Sequence, residues 1–363
     1  MTTIIIGAGA GGLACAIRLK QNNPNNEVII LERLEQAGRK ILATGNGRCN
    51  LSNIDAANSS EVVKFFNGLG LEVRYEEGRI YPYSNQASTV LEILLNACNK
   101  LGIKIIAQCN ALKIESDLTV KTDCGDFNAD NVVVATGGMA QSALGSNGSG
   151  YEILKSIGHS ITPLSPALVQ LTSSSKYPNK LKGHRVKCNM TILLDGEAVK
   201  SEYGEVLFTQ YGLSGIVTMN LSEIVSENFA LKNPKNCHAV IDLVPEMSEE
   251  ELIMHIEKFG SLLGILGSRL STIINQQANG DIKKQAAFAK SWKLIITGTK
   301  GFDFAQITKG GADLNEFDEF RSKKLDGVYA CGEVLDRQFE CGGFNLNFAF
   351  YSGIKVADAI AEK

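Results

Sequence analysis

The sequence predicts an α/β fold: a parallel sheet with helices against it, interrupted by a β-rich insertion. Three observations carry this expectation. Residues Thr3–Ile6 form a β-branched run, a glycine turn follows, and apolar residues then recur at helical spacing up to a turn at Pro24, beyond which "EVIILE" ends at Glu32. This is strand, helix, strand, and the strands are continuously apolar, as a parallel sheet buried on both faces requires. Two later runs, "NVVVATGG" at 131–138 and "DGVYACGEVLD" at 326–336, repeat the pattern of a buried strand entering a glycine turn. Between them, "TILLDGEAVKSEYGEVLFTQYGLSG" reads as hairpin strands around a D-G turn, and the stretch from "SEEELIMHIEKF" to "NQQANGDIKKQAAFAKSW" reads as helical.

The first glycine turn carries the most local information. Gly7, Gly9 and Gly12 stand at the spacing G-x-G-x-x-G between strand and helix, and Glu32 ends the second strand. In that context Gly7 permits a tight turn, Gly9 lets the backbone approach a pyrophosphate, and Gly12 allows the helix to pack closely on the strand. The helix start at Ala10 offers unpaired N–H groups and the positive end of a dipole. Glu32 can accept from ribose hydroxyls, which points to a dinucleotide with an unphosphorylated adenosine ribose on a Rossmann-like domain. Further along, Ser88 is expected to cap a helix running to Lys100, and "IKIIA", "ALKIE" and "LTVKT" are expected to form a β-meander. "NLNFAFYSGIKVADAIAEK" reads as a long final helix. The expected organisation is a discontinuous cofactor domain over 1–166 and 300–363, around an insertion over 167–299 whose helical part covers about 246–290.

Composition narrows the function classes. At 363 residues the chain exceeds what one hydrophobic core usually supports. A net charge of −3 offers no basic footprint for nucleic acid and no polybasic patch for anionic lipid, so the expected partner is a small-molecule substrate. The N-terminal stretch lacks a basic n-region and a cleavage site, and no apolar run approaches the roughly 18 residues of a membrane span, so a cytoplasmic location is expected. Nine cysteines without a C-x-x-C pair argue against a zinc ribbon or a dithiol motif, and most are expected as small apolar fillers. His159, His184, His238 and His255 lack metal-ligand spacing, so no metal is expected. His184 is at most a weak candidate on the substrate side.

After Glu32, the Gly38–Arg39 pair resembles the extended fingerprint of the glutathione-reductase-type FAD domain. "VVVATGG" is similar to that superfamily's A-T-G turn, and "GVYACGEVLD" to its final strand, whose acid holds the ribitol of FAD. FAD rather than NAD is the implied tightly bound cofactor. "GRKILATGNGRCNLSN", "GSNGSGYEILKSIGHSITPLSPALVQL", "GEVLFTQYGLSG", "ITKGGADL" and "GEVLDRQFECGGFNLNFAFYSG" resemble, in this order, the motifs of a bacterial family described as BaiN-like or aminoacetone-oxidase-like NAD(P)/FAD-dependent oxidoreductases. The resemblance spans nearly the whole chain. It implies a Rossmann-like, three-layer FAD-binding domain interrupted by a β-rich domain with a small helical subdomain. It also implies hydride transfer between flavin N5 and a small organic substrate, either C=C reduction or oxidation with O₂ as acceptor. No second G-x-G-x-x-G unit with its own strand and acid is present, so NAD(P)H would bind transiently as electron donor. The rival reading is a non-catalytic FAD-binding redox sensor or assembly partner. Cys341, the "NLNFAF" stretch and a short helical insert depart from the family pattern, so the family's substrate is not carried over.

The implied cofactor contacts follow these motifs. Gly7, Gly9, Ala10 and Gly12 belong to the pyrophosphate turn, Glu32 and Arg33 to the ribose end, and Arg39, Lys40, Ala111, Thr136, Gly137, Gly332 and Glu333 to the turns that follow. "TGNGRCN" reads as a loop around the flavin, with Gly45 and Gly47 for backbone approach, the asparagines Asn46 and Asn50 for amide contacts and Arg48 near developing negative charge. Gly342, Gly343, Phe344 and Asn345 begin the final helix, whose N–H groups would face the flavin pyrimidine, where reduction adds charge. Arg48, Cys49 and Asn345 are the catalytic candidates. Cys49 reads more readily as a small buried residue, because no partner cysteine is close in sequence.

Overall fold

Five strands run parallel at the centre of the larger unit, in the order Val328–Ala330, Asn131–Val134, β1 (Thr2–Ile6), β2 (Glu27–Leu31) and Lys104–Ile106. An antiparallel pair, Phe317–Asp318 and Arg321–Ser322, extends the edge beyond Val328–Ala330. The structure, a computed structural model, describes residues 1–362. It contains two compact units, Met1–Leu164 with the chain from Ile307 onward, and Ser165–Gln306.

The larger unit is three-layered because strand side chains alternate faces. Ile5, Ile30, Val133 and Tyr329 pack against helix α1 (Ala10–Asn22) and the helices Ala87–Lys100 and Phe344–Ala361. Ile4, Ile6, Leu31, Val132 and Val134 face the other way, onto Ala111, Ile114 and Val120 of a small antiparallel sheet. That sheet consists of Ala111–Ile114, Val120–Thr122 and Gly125–Phe127. Here the expected meander is corrected: Lys104–Ile106 joins the parallel sheet beside β2, Ile105 opposite Ile30. The preceding helix supplies the crossover that a parallel strand requires. Its start is also corrected. It begins at Ala87 after the N-cap Gln86, and no side chain caps it, so Ser88 lies inside the first turn.

The smaller unit is a closed six-stranded barrel of Leu171–Ser173, Gly212–Ser214, Glu197–Phe208, Arg185–Leu194, Cys237–Asp242 and Trp292–Thr299. Its long hairpin turns at Asp195 (φ 51°) and Gly196 (φ 91°), the left-handed pair that a two-residue turn of this hand needs. Three helices, Glu249–Phe259, Ser268–Ala278 and Ile282–Lys290, accompany it. The first starts in a capping box between Ser248 and Glu251. Among the described residues no helix is long and apolar enough to cross a membrane.

A buried polar latch ties the edge of the larger unit's sheet. His159 Nε2 accepts from Ser322 Oγ (2.7 Å), Nδ1 donates to Glu316 Oε2 (3.2 Å), and the ring stacks on Phe317 at 4.3 Å, in the tautomer that this network favours. Burial lowers the imidazole below its ordinary value, despite the opposing pull of Glu316. The Ser160 backbone N–H, with Lys324, holds the Glu316 carboxyl down at about 2. Both folded values lie below the unfolded ones, so both contributions are present at neutral pH and are lost on acidification. We expect the thermal midpoint to fall as pH drops below about 6.5 and again below about 4.5. His159→Gln should flatten the first step, as read from unfolding midpoints at pH 7.5 and 5.

Candidate functional site

Four turns carry the predicted cofactor residues: the glycine turn after β1, the loop at 44–50, the start of the final helix, and the paired turns after strands 131–134 and 328–330. In the first, Gly7 has φ +105°, and a Cβ there would meet Ala135 O at 2.6 Å. A Cβ on Gly12 would stand 2.0 Å from Gly7 O, so α1 approaches the turn only because residue 12 lacks one. At Gly9 the space is open, with no atom within 4 Å of a built Cβ, and α1 begins without a side-chain cap. Its first N–H groups lack intrahelical acceptors and point outward with the dipole. Glu32 braces this turn, since Oε2 accepts from Ala8 N (2.9 Å) and Oε1 from Leu34 N (2.8 Å). Arg33 donates to Gly145 O (3.2 Å).

Residues 108–109 hydrogen-bond the backbone at Glu32 and Leu34. Ala111 itself is buried in the core, so only its backbone is available to a ligand. Cys109 and Cys124 form a disulfide across this small sheet, so these two are not apolar fillers. Their pairing depends on strand register and has no local motif. With Asp123 they make a grouping of potential metal ligands, but the disulfide occupies both sulfurs.

The second and third turns are one construction. Gly45, Asn46, Gly47 and Cys49 all have φ between 55° and 83°, a left-handed run that turns the loop tightly. The loop returns against Gly343, where a Cβ would meet Ser52 O at 2.6 Å and Asn50 Oδ1 at 2.8 Å. Asn53 Nδ2 donates to Gly342 O (3.0 Å), while Asn347 accepts from Ser52 Oγ (2.7 Å) and donates to Ala57 O (2.9 Å). Ser52, Asn53 and Asn347 are the residues that the sequence does not mark out. The quoted loop and helix motifs contained them, but their pairing spans almost three hundred residues. Arg48 is held from three sides: by Glu76, by Asn85 Oδ1 (2.8 Å), and by the Tyr81 ring at 4.1 Å. The Glu76 carboxylate raises the guanidinium above its usual range. Burial pushes the Cys49 thiol up to about 12, which removes thiolate chemistry there at neutral pH.

Asn345 is placed otherwise than its motif suggests. Its Oδ1 accepts from Phe339 N (2.9 Å) and its Nδ2 donates to Phe339 O (2.8 Å), so the amide ties the 339–340 backbone to the helix start. Asn345→Asp should therefore lower stability, because the new carboxylate faces the Phe339 carbonyl without a donor. The expected loss is about 1–3 kcal/mol, a few degrees in thermal midpoint at pH 7.

In the fourth turn, Lys40 Nζ pairs with Glu333 Oε2 (2.8 Å) and Thr308 N donates to Glu333 Oε1 (2.8 Å). Gly332 has φ +75° and its N–H donates to Ser352 Oγ (2.9 Å). Gly137 (φ +71°) follows Thr136 at the end of strand 131–134 and faces Ser146. Arg39 is exposed at the start of a short helix, outside this network. The turns suit a dinucleotide: open space at Gly9 and Gly47, an uncapped helix start, and a buried Asn50 Oδ1 without a partner beside Gly343.

Comparison with known proteins agrees with this geometry. A family model described as the HI0933-like protein Rossmann domain matches residues 1–60 and 54–359. The chain is 34% identical to a 3-dehydro-bile acid delta(4,6)-reductase of Clostridium scindens, over 99% of this chain and 98% of that protein. It is 26% identical to a ribosomal RNA dihydrouridine synthase of Haemophilus influenzae, again over 99% and 98%. Its fold is similar to that of 3-ketosteroid delta1-dehydrogenase from Sterolibacterium denitrificans, with a TM-score of 0.55 at 11% identity and 99% of each chain covered. With a family model over nearly all its length and a full-length relative above 30% identity, the chain belongs to the HI0933-like family of FAD-binding Rossmann proteins and is a flavin-dependent oxidoreductase.

Proposed function

We propose that the protein reduces a carbon–carbon double bond conjugated to a carbonyl in a small organic substrate, using NAD(P)H as a transient electron donor. The observation that carries this reading is the full-length similarity to a delta(4,6)-reductase, joined to a set of turns fitted to FAD. Bound FAD would supply hydride exchange at N5. The chain's own part is holding, orienting and charge placement. In this reading Glu32 accepts from the adenosine ribose, and the N–H groups from Ala10 onward face the pyrophosphate. Glu333, fixed by Lys40 and Thr308 N, would hold the ribitol. Arg48, immobilised by Glu76 and Asn85, would offer a fixed positive charge to the flavin edge, and the Gly343 helix start would add a positive dipole end. In this reading the larger unit is the cofactor domain and the barrel unit is the insertion.

The test is anaerobic mixing of the FAD-loaded protein with NADH and NADPH, followed by enones of graded size. Bleaching of the flavin by one nicotinamide and its return with an enone is the expected result. Flavin that neither nicotinamide reduces would overturn the proposal. A second reading, uridine reduction in ribosomal RNA, draws on the relative from Haemophilus influenzae. The net charge of −3 counts against it. Return of the flavin colour with a ribosomal RNA fragment, and with no enone, would favour it.

A further inference from the structure

The final helix carries a second feature, which begins at the helix start and runs along the helix beyond it. Its face toward α1 is built from small residues, with Gly353 backed directly onto Gly11. On the opposite face Phe344, Phe348, Tyr351 and Lys355 line a cavity of about 280 Å³, whose other walls include Phe339 and Arg337. We propose that this cavity binds a one-ring aromatic monocarboxylate, at a site that adjoins the start of the final helix through Phe344 and Asn347.

Shape, lining and charge each contribute. The volume falls just below the range of drug-sized ligand sites, which run from about 300 Å³ upward, and suits nothing larger than a single ring with one substituent. Phenylalanine and tyrosine walls offer faces and edges to a flat ring. The Arg337 guanidinium lies 5.6 Å from the Phe339 ring centroid and 5.4 Å from that of Phe348, so its plane is steadied by aromatic contacts. No carboxylate of the described residues lies within salt-bridge distance of it, whereas Lys355 is engaged by Glu61 at 3.3 Å. A steadied, unpaired guanidinium at an aromatic wall is a bidentate receptor for one carboxylate. Glu319, also on the lining, adds a negative charge that disfavours a dianion. The ring therefore packs against Phe339, Phe348 and Tyr351, with its carboxylate at Arg337.

Benzoate and its neutral isostere benzamide are the probes. Binding to the FAD-loaded protein is read by titration calorimetry and by saturation transfer from protein to ligand protons. Saturable benzoate binding is expected, with benzamide on the order of tenfold weaker. Arg337→Gln, at an exposed position, should bring benzoate down to the level of benzamide and leave benzamide unchanged. Tyr351→Ala should weaken both. Benzoate binding that survives Arg337→Gln intact would place the ligand elsewhere and overturn the proposal, as would absence of saturable binding or equal affinity for the two probes. None of these readouts depends on turnover or on flavin reduction.

Discussion

Gly9→Val is expected to give a folded protein that purifies without flavin. A Cβ at Gly9 meets no atom within 4 Å, and the backbone there, φ −84° and ψ −168°, is extended and open to valine. Valine is a poor N-cap, so the cost to the fold is only about 1 kcal/mol. The open space in front of α1 is where a pyrophosphate would have to sit, and a branched side chain fills it. Flavin content per protein, from the visible and ultraviolet absorbance, should fall to near zero while the apoprotein still unfolds cooperatively. Gly12→Ala provides the contrast. Its Cβ would stand 2.0 Å from Gly7 O and push α1 off the turn, so both flavin and thermal stability should be lost. Full flavin occupancy in Gly9→Val would mean that the dinucleotide does not lie on this turn.

The contrast between these two glycines shows which parts of the molecule the sequence makes legible. Strand, turn, helix and acid lie within the first 32 residues, so their spacing alone reports the βαβ unit. The Asp195–Gly196 hairpin is legible for the same reason, because the turn chemistry and both strands are contiguous. Register between distant segments leaves no such trace. "IKIIA" has the alternation of a meander strand, yet a helix crossover and the open edge of β2 recruit it into the parallel sheet. Cys109 meets Cys124 only once the small sheet has folded. Asn345 stands in a motif that suggests a ligand contact, and its amide instead completes the backbone of Phe339. Arg48 is visible in its loop, but Glu76 and Asn85, which fix its direction, come from elsewhere in the chain.

Glu32→Ala should show two losses that can be measured apart. The carboxylate accepts from Ala8 N and Leu34 N, so its removal strands two amides at the end of β2 and loosens the turn even without cofactor. Hydrogen bonds to a charged group contribute about 1.5–3 kcal/mol each when well shielded, and these are partly exposed, so a loss toward the lower end is expected for the apoprotein. A carboxylate has lone pairs to spare after two backbone bonds, and those remain for the ribose hydroxyls. If they are used, FAD affinity should fall by about tenfold or more, since each 1.4 kcal/mol is a factor of ten. The separation comes from linkage. Saturating FAD raises stability by RT ln(1 + [L]/Kd), so a tenfold weaker Kd lowers the difference between holo and apo stability by about 1.4 kcal/mol at fixed FAD. The apo loss alone, with that difference unchanged, would make Glu32 a brace for the turn and nothing more. Glu32→Gln sharpens the comparison, because its single amide oxygen can still accept from one backbone N–H but carries no charge for the ribose. It should therefore recover part of the apo stability and little of the FAD affinity, an asymmetry that a residue acting only on the turn would not produce.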